Sequence, residues 1–160
     1  MKKTIALFTF LIFVVIATII YQRYATNASS GKSSSQAQNT ATVTIRNYTF
    51  KLYFATSSEE KQIGLSSRQS LPQDYGMLFQ FGTPDYYIFW MKNMKFPIDI
   101  IFIRDNKIVS IIENAPPLKP NDQKPLTYKP KSPADTVLEI NSGLSKKYGF
   151  KIGDEVKIKK

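Results

Sequence analysis

The sequence predicts a mainly β domain, sandwich-like or a partly open barrel, with about seven or eight strands and one or two short helices. Short runs rich in β-branched and aromatic residues recur from Thr42 to the C-terminal lysines, as strands require. Turn signals such as Asp105-Asn106 separate them, and only brief segments carry helix start and stop signals.

Taken in order, VTIR (43–46) and TFKLYF (49–54) flank a turn at Asn47 and read as paired strands. Thr56 and Ser57 each precede a glutamate by three residues, a capping-box signature, and EEKQIGLSSR supplies about two helical turns. MLFQF (77–81) sets Met77, Phe79 and Phe81 against Leu78 and Gln80, the period of a strand entering a core. YIFWM and PIDIIFI follow as further strands, and Asp105-Asn106 joins IIFIR to KIVSIIE as a hairpin. Six prolines between Asn114 and Asp135 exclude a regular element there. DTVLEI is the next strand; Asn141 or Ser142 is the expected cap of a brief helix ended by Gly149, and EVKIKK closes the domain.

Ahead of this domain, residues 1–24 read as a membrane anchor or signal segment and 25–41 as a polar tether, leaving 42–160 as a single extracytoplasmic domain. Nineteen uncharged residues lie between Lys3 and Arg23, and as a helix they would span about 28 Å, near the thickness of a bilayer core. Lys2 and Lys3 before the run, against Arg23 after it, favour an N-terminus inside and the domain outside. The length of the apolar run favours an uncleaved anchor, and cleavage near Thr26-Asn27-Ala28 would instead release a secreted protein. The expected location is the cell membrane, with a single pass.

Composition narrows the chemistry. The chain contains no histidine and no cysteine, which excludes Ser-His-Asp and Cys-His catalysis, disulfides and His- or Cys-ligated zinc. No cofactor and no metal is called for. The net charge is +10, but once Lys2, Lys3, Arg23 and Lys32 are set aside the domain holds 18 basic against 12 acidic residues. They are dispersed, so no nucleic-acid partner is expected.

Asp99 lies inside the apolar run FPIDIIFI, on the strand face opposite Ile98 and Ile100. A carboxylate in such company needs a partner. Arg68, Lys92 and the Asn93 amide are the candidates, in either a ligand-facing cluster or an architectural one, the latter being a buried ion pair or an acceptor for backbone N–H groups. Trp90, the only tryptophan, places an aromatic plane beside Lys92 and Asn93, a trio suited to a sugar or carboxylate ligand and equally to core packing. Glu113 and Glu139 are the remaining candidates; with Asp99 they could furnish the two carboxylates of acid–base chemistry.

The series EKQIGLSSR, LPQDYGMLFQF, FWMKNMKFPIDIIFI, ENAPP and ADTVLEINSG, closed by Gly153-Asp154 and Val156, resembles the bacterial and archaeal domain of unknown function family 192 over nearly all of residues 42–160. Arg68, Gly76, Trp90, Lys92, Asn93, Pro97, Asp99, Glu113 and Glu139 match its pattern, and Ser66 departs from it where methionine is common. The resemblance implies a compact, mainly β domain and no established activity. The functional expectation is a membrane-tethered, non-enzymatic module binding a cell-envelope glycan or peptide through Trp90, Lys92, Asn93 and Asp99. The alternative is a carboxylate-dependent hydrolase or lyase acting on an envelope polymer.

Overall fold

The structure, a computed structural model, describes residues 41–119 and 124–160. The expected anchor and the expected tether up to residue 40 lie outside the described residues. Among the described residues nine strands form, β1 Thr42–Ile45, β2 Tyr48–Ala55, β3 Tyr75–Asp85, β4 Phe89–Trp90, β5 Ile98–Arg104, β6 Lys107–Ala115, β7 Thr127–Tyr128, β8 Ala134–Asn141 and β9 Val156–Lys159. The helices are α1, Ser58–Ile63, extended by a 3-10 turn over Gly64–Ser67, and α2, Leu144–Tyr148.

Seven strands make one sheet in the order β6-β5-β8-β3-β2-β1-β9. The sheet curls until its outer strands touch: Lys107 bridges Glu155, and the Ile108 and Val156 N–H groups donate across the gap at 3.0 and 2.8 Å. The result is a curled half-barrel, the partly open barrel that the strand pattern predicts. Each neighbouring pair is antiparallel except β2 and β3. A parallel pair cannot be joined by a hairpin, so the chain crosses over through α1 and the 3-10 turn.

That crossover starts where the capping-box signature falls. Ser57 Oγ accepts the Glu60 N–H at 3.1 Å, while Glu60 Oε2 accepts the Ser57 N–H at 2.9 Å and the Thr56 hydroxyl at 2.6 Å. The Thr56 hydroxyl, then the Ser57 and Thr56 N–H groups, lower the Glu60 pKa to about 2. The cap thereby fixes where Lys61 and Gly64 stand over the sheet.

The sheet buries both of its faces. Val43, Ile45, Phe50, Leu78, Ile101 and Leu138 fill the concave side, and Leu65, Phe79, Met91, Ile98, Phe102 and Val137 pack between the convex side and the overlying segments. Full burial of such a side chain stabilises by roughly 1.5–3 kcal/mol. Strand β5 has every residue but Arg104 buried, which explains an apolar run broken only by Asp99.

Three local expectations change. YIFWM forms only the two-residue β4, which pairs with β7 in a separate sheet; Trp90 and Ile88 are exposed, so this stretch covers the barrel instead of joining it. Strand β7 itself arises within the proline-rich connection, since Thr127-Tyr128 is a pair free of proline and able to complete the ladder to β4. Neither Asn141 nor Ser142 caps α2: Asn141 Nδ2 donates to the Leu71 carbonyl, and the Ser142 hydroxyl donates to Asn114 Oδ1. The residue at the N-cap position is Gly143, which has no capping side chain.

Gly76 sits where β3 packs tightly beside β8. A Cβ there would stand 2.8 Å from Leu138 Cδ1 and 3.0 Å from the Glu139 carbonyl oxygen. Gly76→Ala is therefore expected to destabilise the domain by roughly 1–3 kcal/mol through overpacking. Urea denaturation checks it, and a variant as stable as the parent would show that the strands can move apart freely.

Candidate functional site

Asp99 is fully buried and lies on the same face of β5 as Ile101 and Ile103, at one end of the concave core. Its Oδ1 accepts the N–H groups of Asn114 at 2.8 Å and Gly143 at 3.0 Å, and its Oδ2 accepts that of Ser145 at 2.8 Å. The partners are thus backbone amides, not the side chains of Arg68, Lys92 or Asn93. Helix α2 begins at a glycine, and its first amides have no local acceptor; Asp99 supplies the cap from a different strand. A carboxylate serves because it offers two oxygens, each with room for more than one donor. The same residue holds the end of β6, where Asn114 has φ +54°.

Of the other predicted residues, only three come together. Arg68 lays its guanidinium on the Tyr53 ring at 3.7 Å, and Glu113 stands exposed on β6. Asn93 occupies a left-handed turn with φ +60°, a conformation asparagine tolerates better than most residues. Trp90, Lys92 and Glu139 meet around a cavity of about 280 Å³ between the crossover and the segment that carries β4.

The cavity is built in layers. Its floor is β3 and β8, which contribute Phe79, Phe81 and Glu139; one wall is the crossover, with Lys61, Ile63 and Gly64. The other wall is the 87–94 segment, with Tyr87, Phe89, Trp90 and Lys92. Edge-to-face contacts fix Phe89 against Phe79 at 5.1 Å and against Phe102 at 5.8 Å, and Tyr87 stacks on Phe81 at 3.7 Å. Lys61 Nζ lies 4.9 Å from the Phe81 ring and Lys92 Nζ 5.5 Å from the Trp90 ring, each ammonium resting on an aromatic face.

Glu139 is the unusual member. It is only 6% exposed, and among the described residues nothing hydrogen-bonds its Oε2. Burial pushes its pKa up to about 8, so at neutral pH it is an uncharged acid with an O–H to donate. Gly64 has φ +50°, a backbone conformation that favours glycine, while a Cβ there would make only ordinary contacts, 3.4 Å from Phe79 Cζ and 4.0 Å from Glu139 Oε2. Asp99 and Glu139 occupy opposite faces of the sheet, Asp99 with the concave core and Glu139 on the convex face with Val137. The two-carboxylate arrangement expected of a hydrolase is not assembled by these residues.

Sequence reasoning passed over Lys61, Phe79, Phe81, Tyr87 and Phe89. The alternation of MLFQF placed both phenylalanines on one strand face, but which chain segments cover that face is decided by the crossover. Glu139 carried the stronger signal: it interrupts VLEI as Asp99 interrupts IDII.

Comparison with known proteins agrees with this architecture. Residues 41–158 match the family DUF192, described as Uncharacterized ACR, and the chain belongs to that family. No curated protein matches. A crystal structure of a protein of unknown function from Novosphingobium aromaticivorans is similar at 36% identity, covering 72% of this chain and 83% of that one, with a TM-score of 0.62. A second, from Sinorhizobium meliloti and described as a candidate transcription regulator, is similar at 30% identity, covering 74% and 92%, with a TM-score of 0.64.

Two measurements test these assignments. Asp99→Ala leaves one buried and two part-buried amides without their acceptor and is expected to cost roughly 2–4 kcal/mol, whereas Asp99→Asn keeps one acceptor oxygen and should cost about 1–2 kcal/mol. Equal, small losses in urea denaturation would remove the capping role. For Glu139 the folded-state pKa is raised, so the folded chain keeps a proton that the unfolded chain releases. Its contribution is fully present below the ordinary glutamate value and is lost as pH rises through about 8. Stability should fall by up to about 1.4 kcal/mol per pH unit across that window, and Glu139→Gln should flatten the profile.

Proposed function

We propose that this protein is a non-enzymatic binding module of the cell envelope, held at the membrane by its N-terminal segment, with the domain on the extracytoplasmic side and the cavity at Trp90 receiving a wall-derived fragment. The observation that carries the reading is the cavity itself. Aromatic walls, a rim with Lys61 and Lys92, and one buried acid at Glu139 are a recognition surface with few polar groups, as small-ligand sites are. The cavity lining includes a single carboxylate, so it has an orienting group without the second carboxylate that acid–base cleavage of a glycosidic bond uses. The apolar run between Lys3 and Arg23 supports the membrane attachment.

Trp90, the sole tryptophan, reports on occupancy. Titration of the full chain in detergent with wall glycans and wall peptides is expected to change Trp90 emission, with saturation at or below roughly millimolar concentration. Lys92→Ala should weaken the response several-fold without altering the fold. Silence from every fragment, together with cells indifferent to Lys92→Ala, would end the binding reading. A reporter enzyme fused after Lys160 and active only in the cytoplasm would end the topological one.

A further inference from the structure

Glu139 and the two lysines define more than an opening. Glu139 presents an oxygen with no protein partner among the described residues to the base of the cavity, while being 94% withdrawn from solvent by its 6% exposure. A buried polar atom left unpaired is unfavourable, and here it lines the space that a ligand would fill. Lys61 and Lys92, over Phe81 and Trp90, leave the opening positively charged. Between these two ends the surfaces are aromatic.

We infer that the cavity takes a small amphiphilic monoanion: a carboxylate held between Lys61 and Lys92, a flat apolar body against Phe81, Phe89 and Trp90, and a carbonyl-type acceptor receiving the Glu139 O–H. This rests on the binding reading above and narrows it. A sugar brings many hydroxyl groups, and each needs a partner when it is withdrawn from water. Aromatic walls with one buried donor at the floor do not supply them. A cation is disfavoured because Lys61 and Lys92 already line the opening with positive charge.

The floor contact carries a proton dependence. The titratable groups facing Glu139 are Lys61 from the crossover and Tyr87 and Lys92 from the opposite wall, and its cross-strand neighbours, Met77 on β3 and Ile100 on β5, do not ionise. Tyr87 is engaged through its hydroxyl, which donates to the Thr83 carbonyl at 2.7 Å. Ionisation of Glu139 near pH 8 removes the donor and sets a negative charge against the acceptor.

The probe is 4-acetylbenzoate, which has a carboxylate at one end and a ketone at the other, titrated into the full chain in detergent and followed by calorimetry and the Trp90 indole N–H resonance. Expected is a Kd of roughly millimolar or tighter, weakened about tenfold in 4-isopropylbenzoate, which lacks the acceptor. The methyl ester, without the charge, should bind more weakly and lose its salt dependence. Affinity for the ketone should fall as pH rises past about 8. Glu139→Gln, whose amide can still donate, should bind within about threefold of the parent at neutral pH and lose the pH dependence, and Glu139→Leu should no longer distinguish ketone from isopropyl. Glucuronate or wall glycans binding while 4-acetylbenzoate does not would overturn the inference and leave the binding module standing. Failure of all of them would overturn both. Equal affinity for the ketone and isopropyl acids in the parent would remove Glu139 from the contact.

Discussion

A carboxylate placed where water cannot reach it must be satisfied by the protein, and in this domain Asp99 is satisfied entirely by main chain. Its acceptors gather the start of α2 and the end of β6 onto β5. Strand β5 lies between β6 and β8 in the sheet, and α2 contributes Leu144 to the concave core. Without that anchor a five-residue helix starting at a glycine has little reason to form, because so short a segment does not hold itself together in water. The polar knot therefore sets the end of the barrel, and the apolar packing elsewhere follows from the strand positions it helps to fix.

The opposite face of the same sheet uses an acid in the opposite way. Among the described residues nothing hydrogen-bonds Glu139 Oε2, and burial raises its pKa to about 8, which leaves it protonated at neutral pH. The two residues lie on adjacent strands, with Asp99 in register with Ile140, the residue following Glu139. Period-two alternation sends their side chains to different sides. One acid is bound into the scaffold, while the other stays free to meet something outside it. The crossover between β2 and β3 walls that space at Gly64, and the cavity beside Glu139 lies between it and the 87–94 segment.

Much of the scaffold can be read from particular residues. The alternation of Met77, Phe79 and Phe81, the largely apolar run after Pro97, the Asp105-Asn106 turn and the Ser57-Glu60 box each produce the element their chemistry favours. These signals are local, arising from neighbours within a few positions. FWM misled because its aromatic content suits a strand, whereas only Phe89 and Trp90 find a partner, on β7. The cap of α2 was hidden because its acceptor lies 44 and 46 positions away from the amides of Gly143 and Ser145.

The sequence by itself determined a β-rich domain, its hairpins, a capped helix after the second strand, and the need of Asp99 for a nearby donor, because each follows from short-range periodicity or from the unfavourable burial of charge. Tertiary structure alone decided which donors Asp99 receives, that β2 and β3 run parallel, and that Lys61, Trp90, Lys92 and Glu139 surround one cavity. Those relations depend on how distant segments cross over a curled sheet, and spacing along the chain does not encode which side chains then meet.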